Sequence, residues 1–235
     1  MFDDLVTHRA PPPNRIGTCE GDTEWHLPEG AVIMAFAMHL LRTVPGLREV
    51  SVHPDGEHGK RFDFQGWLGK RGFALKAAAG KTSYGGTYAS PDGQTVIVNP
   101  SSGRGDVAAA GEGFRIVAEC KGGIINTRHP GQLSRLRQGL CETVGLSLAS
   151  PAVDKRRQFA VVPRTKVTES LARRLFIRAT AGDIGSKPWV GSAEWTGLFS
   201  IAFRVMRRGR KVRSMVRFSQ TLCLLKFRSI PVTRL

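Results

Sequence analysis

Apolar residues run almost unbroken from Ala31 to Leu41 (Ala-Val-Ile-Met-Ala-Phe-Ala-Met-His-Leu-Leu), and charged or turn-forming residues bound the run on both sides. A segment that is apolar nearly all round reads as a buried helix. Pro28 and Glu29 mark its start, because proline suits a first helical position and a carboxylate suits the positive helix N-terminus. Pro45-Gly46 marks its end. The run is too short to span a bilayer and contains His39. From Glu49 to Pro100 the pattern shortens into strand-length runs, and residues 50–53, 61–68, 73–77 and 95–98 are the expected strands. Glycine-rich 80–86 and Ser90-Pro91-Asp92-Gly93 supply turns. Residues 1–25, with Pro11-Pro12-Pro13, are expected to be loosely ordered.

Two apolar runs around Gly111-Glu112-Gly113 predict a β-hairpin. Alternation along its second strand puts Glu119 and Lys121 on one face and Cys120 on the other. Loop parity decides where Asp106 points. A three-residue loop would set Asp106 opposite Ala118, facing away from Glu119. A two-residue loop brings all three site residues to one face, and the loop Glu112-Gly113 sets Asp106 directly opposite Glu119. An even loop or a bulge is therefore expected, with the two carboxylates within roughly 6 Å, since one ion must reach both. Leu133, Leu136, Leu140 and Val144 then form the stripe of an amphipathic helix over 130–145, with Gly145 as its stop. A strand over 158–162 and a helix over 168–176 follow.

Charge changes the picture. The 235 residues carry a formal net charge of +16, so a polyanion, usually nucleic acid, is the first partner to consider and an anionic membrane surface the second. Residues 195–235 hold ten of the 35 Lys and Arg and no Asp or Glu. This basic extension, with Arg207, Arg208, Arg210 and Lys211 at its centre, reads as a nucleic-acid-binding arm, as a structural extension or as an out-of-frame end. Cys19, Cys120, Cys141 and Cys223 are widely spaced, without zinc-ligand spacing, and read as reduced thiols of a cytoplasmic protein. No secretory signal is visible after Met1-Phe2-Asp3-Asp4.

Asp106, Glu119 and Lys121, an acid before the first strand of a hairpin and an acid-x-lysine at the end of the second, resemble the PD-(D/E)xK nuclease superfamily. Gly105 stands where that pattern often has proline. The resemblance covers residues 28–181 and implies an α/β domain of restriction-endonuclease-like architecture, with an αβββαβ core and a mixed central sheet flanked by helices. It implies Mg²⁺ or Mn²⁺ held by Asp106 and Glu119, with Glu29 as a further ligand, and catalytic roles for Lys121 and Gln132. Arg135 and Arg137 would contact phosphates. The implied function is hydrolysis of DNA phosphodiester bonds in restriction, repair or mobile-element processing, with a homodimer left open. A non-catalytic nucleic-acid-binding protein on the same fold is the alternative.

His53-Pro54-Asp55-Gly56-Glu57-His58 competes as a metal-ligating loop, although Pro-Asp-Gly is also strong turn chemistry. Gly80-Lys81-Thr82 echoes a phosphate loop, but Leu75 occupies the position that requires glycine. The expected organisation is an N-terminal segment over 1–25, a nuclease-like domain over 26–194 and a basic extension over 195–235.

Overall fold

The computed structural model describes residues 3–55, 61–101, 103, 105–149, 156–181, 199–202 and 222–228. Strands β1 (Thr7–Arg9) and β2 (Glu24–Leu27) pair antiparallel, so the N-terminal segment is folded where loose order was expected. Side-chain chemistry explains the difference. Glu24 binds both Arg9 and Arg15, and Leu5 and Leu27 enter the core. Helix α1 (Glu29–Thr43) follows at the predicted place. Every residue from Glu29 to Met38 is buried, as are Leu40 and Leu41, and Gly46 with φ +75° turns the chain out of the helix.

Strand β3 (Glu49–Val52) comes next. The expected strand over 61–68 is instead a short helix, α2 (Phe64–Gly69). Asp63 caps it by accepting the Gly66 N–H at 2.9 Å, while Phe64, Trp67 and Leu68 are buried. Apolar residues at that helical spacing, with a cap in front, outweigh the strand propensity of the aromatic rings. Strands β4 (Ala74–Ala78), β5 (Gly86–Ala89) and β6 (Thr95–Val98) form a meander. Of these, β5 begins inside the stretch read as turns.

The hairpin consists of β7 (Val107–Gly111) and β8 (Phe114–Cys120). Gly111 pairs with Phe114, leaving the two-residue loop Glu112-Gly113, with φ +71° at Gly113. After β9 (Gly123–Ile124), which joins β1 and β2 in a small sheet, comes α3 (Pro130–Ala149). This helix runs through Gly145, the expected stop, because Val144 and Ser147 on either side of it are buried. Strand β10 (Arg156–Pro163) precedes α4 (Lys166–Ala181). The latter starts two residues before the expected Thr168, since Thr165 and Thr168 cap each other reciprocally through their hydroxyls and backbone N–H groups. Strands β11 (Phe199–Ala202) and β12 (Leu222–Arg228) complete the described chain.

The main sheet is mixed and ordered β11-β12-β10-β8-β7-β3-β6-β5-β4. Its β8–β10 pair is parallel and its β7–β8 and β3–β7 pairs are antiparallel. One face buries Val107, Ile116, Ala118, Cys120 and Val161 in a single core with α1, where Phe36 meets Phe159 at 5.3 Å between ring centroids. Alternate positions Ala160 and Val162 are also buried, and α3 packs on β8 and β10 with Leu136, Leu140 and Val144 inward. The sheet is thus flanked by helices. Antiparallel β12 runs beside β10 from Arg157 to Pro163, so part of the basic extension belongs to the sheet.

Candidate functional site

The hairpin register positions the site. Val107 pairs with Ala118, so Asp106, one residue before β7, lies opposite Glu119. The Asp106 N–H donates to the Ala118 carbonyl at 2.8 Å, and Asp106 Oδ2 accepts the Cys120 N–H at 2.6 Å. The carboxylate is thereby fixed across the end of β8, between the positions that carry Glu119 and Lys121. Gly105 has φ +82°, which proline with its fixed negative φ cannot adopt. A Cβ there would lie 2.7 Å from Val117 Cγ1 and 3.2 Å from Glu119 Oε1. The departure from the usual proline follows from this tight crossing.

Asp106 and Glu119 line one cavity of about 410 Å³ together with His53, Asp55 and Gly105. The histidine loop that competed with the hairpin in the sequence is therefore part of the same place. His53 donates its backbone N–H to the Asp106 carbonyl at 2.8 Å, and its Nδ1 lies 3.1 Å from the Ser101 carbonyl. Gly56, Glu57 and His58 lie outside the described residues.

Lys121 continues the face of Glu119 and meets α3. Its Nζ lies 3.4 Å from Glu142 Oε1 and 3.5 Å from Glu29 Oε2. A Cβ at Gly139 would come within 3.3 Å of Lys121 Cβ, so the glycine admits the lysine stem beside the helix. Sequence reasoning missed Glu142. The signal was present in the spacing: Gln132, Arg135, Gly139 and Glu142 share one helix face beside the apolar stripe.

Electrostatics follow from this crowding. Burial and the neighbouring Asp106 push the Glu119 carboxyl up to about 7. Burial also lifts Glu29 to about 7, outweighing the attraction of Lys121. Lys121 moves the other way from a buried lysine. Burial would lower its pKa, but Glu29, Glu142 and Asp106 more than offset that and raise it. The ammonium is thus held in its charged form among acids whose own ionisation is costly.

Two oxygen-donor side chains with a surplus of negative charge suit a hard divalent cation, and the lifted Glu119 shows a charge that such an ion would relieve. Among the described residues, no three His, Cys, Asp or Glu side chains form a ligand group, and Asp106 and Glu119 offer two carboxylates to one cavity. Magnesium commonly binds that way, through one or two carboxylates, with waters and substrate phosphates completing its shell. Glu29, the expected further ligand, stands against Lys121 and lines a second cavity with Gln132 and Arg135. Arg137 is exposed on α3 and does not line that cavity. Arg207, Arg208, Arg210 and Lys211 lie outside the described residues.

Comparison with family models, with curated proteins and with solved structures finds no match to this chain. Among the described residues, no helix is long and apolar enough to cross a membrane.

Proposed function

We propose that the chain is a metal-dependent nuclease that hydrolyses phosphodiester bonds of DNA. The observation that carries this reading is the hairpin register, which sets Asp106 opposite Glu119 with Lys121 at the next position on the same face. The element order supports it: α1, β3, β7, β8, α3 and β10 follow αβββαβ, with α2 and the β4–β6 meander inserted after β3 and the short β9 after β8. Asp106 and Glu119 would hold Mg²⁺ or Mn²⁺. The ion would supply a water of lowered pKa and charge neutralisation at the scissile phosphate. Asp106 is preset for this by the Cys120 N–H, and the close approach at Gly105 confines Glu119. Lys121, held by Glu29 and Glu142, offers a fixed positive charge to the phosphate or orients the attacking water.

The test is cleavage of duplex, single-stranded and branched DNA with Mg²⁺ or Mn²⁺. Asp106→Ala, Glu119→Ala and Lys121→Ala should each retain the wild-type circular dichroism spectrum and lose about 10²–10³-fold or more in rate, the cost of removing one preorganised electrostatic group. Wild-type cleavage by Glu119→Ala would refute the site. A non-catalytic nucleic-acid-binding protein is the second reading, favoured by the net charge of +16, which requires no catalysis. Binding without metal-dependent cleavage would select it.

A further inference from the structure

A second cavity, of about 450 Å³, brings together Arg9, Arg15, Arg61 and Arg135 around Glu29 and Gln132. The four arginines come from separate stretches of chain: β1, the turn that follows it, the approach to α2, and the first turns of α3. Only the tertiary structure gathers them. Glu29 is the one carboxylate among the described residues that line this cavity.

Two of the guanidinium groups are oriented from behind. Glu24, 2% exposed, accepts Arg15 Nε at 2.6 Å and Nη2 at 3.2 Å, and accepts Arg9 Nε at 3.0 Å. A guanidinium carries five N–H donors in a rigid fork. The carboxylate engages two donors of the Arg15 fork and fixes its plane, and it holds Arg9 through Nε alone, so the remaining Arg15 donors can meet an anion with little further ordering. Arg61 and Arg135 are exposed at the cavity and add charge from the other segments.

The cavity adjoins the catalytic group. Glu29 belongs to its wall and also lies 3.5 Å from Lys121 Nζ. Gln132 and Arg135 share the α3 face that carries Gly139 and Glu142 to Lys121. Its volume admits a phosphate with the sugar attached to it. We propose that this cavity is a phosphate-binding subsite, in which Arg15, Arg61 and Arg135 hold a phosphate of the substrate strand next to the one that is cleaved. The proposal rests on the reading that the substrate is nucleic acid. That phosphate is either an internal diester or a terminal monoester, and the same guanidinium groups would recognise both.

The experiment is fluorescence anisotropy on the full chain without divalent ions, over a series of salt concentrations. The probes are short single-stranded DNAs with a 5′-phosphate, a 3′-phosphate or hydroxyls at both ends. Arg61→Gln and Arg135→Gln change exposed side chains and leave the Glu24 ion pairs intact; Arg15→Gln tests the oriented fork. Arg173→Gln, on α4 and paired with Glu169, is the control. Arg61→Gln and Arg135→Gln should each weaken binding about tenfold and lower the log–log salt slope by about 0.7, the value for one neutralised phosphate on a single strand. Loss confined to one phosphorylated end assigns a terminal monoester; equal loss on all three probes assigns an internal diester. Wild-type affinity and slope in both variants, or no binding by the wild type, overturns the subsite. Wild-type binding without cleavage in Mg²⁺, with the arginine effects present, refutes the nuclease reading and leaves the cavity as a phosphate-binding site of a nucleic-acid-binding protein.

Discussion

Replacing Glu119 by Gln should change how stability depends on pH, and the direction is fixed by the site. Burial and Asp106 raise the Glu119 carboxyl from 4.5 to about 7. Between those values the folded chain holds this proton and the unfolded chain releases it. Stability therefore falls as pH rises, starting near 4.5 and completing above about 7. The displacement corresponds to about 3 kcal/mol. Glutamine carries no such proton. Urea unfolding of both proteins without divalent ions, at about pH 5 and about pH 8.5, isolates the effect, since other groups such as His26 cancel in the difference. The stability of Glu119→Gln relative to wild type should rise by about 3 kcal/mol across that interval. Added Mg²⁺ should then raise the melting temperature of the wild type at the higher pH and leave that of Glu119→Gln unchanged, because an ion that binds the folded carboxylates stabilises by mass action. Parallel pH profiles would refute the claim that Glu119 is forced to ionise beside Asp106.

Three further outcomes follow from the same geometry. Glu142→Gln removes one of the carboxylates that raise the Lys121 pKa, so the alkaline limb of the pH–rate profile should move to lower pH; an unmoved limb excludes Lys121 as the group that titrates there. Gly105→Ala forces a side chain into φ +82° and towards Val117, which should cost about 1–2 kcal/mol or more in urea unfolding; an unchanged midpoint would mean that the crossing is not tight. Neutralising Arg207, Arg208, Arg210 and Lys211 together should weaken duplex DNA binding and lower the salt slope by about 0.9 for each phosphate that no longer meets a cation, whereas truncation after Glu194 would also strip β12 from the edge of β10; an unchanged slope shows that these four side chains touch no phosphate.

The order of elements around the site was legible because it depends on local pattern. The all-apolar run that makes α1, the alternation that makes β8 and the leucine stripe of α3 each follow from side-chain periodicity, which neighbours in sequence define. The face shared by Glu119 and Lys121 follows from the pleat alone. Whether Asp106 joined them turned on one residue of loop length, where sequence left two parities open; pairing of Gly111 with Phe114 decided it. The α2 segment reads as a strand in the sequence because aromatic residues suit a strand by propensity, while the Asp63 cap and burial on one helical face prevail in the folded chain. The order of the N-terminal segment was not legible, because it depends on Glu24 meeting Arg9 and Arg15 and on Asn126, a hundred residues away, accepting the Trp25 N–H through its side chain. Glu142 beside Lys121, His53 beside Asp106 and the four converging arginines belong to the same class. Local sequence sets which atoms a segment can offer, and only the packing of distant segments determines which charges meet.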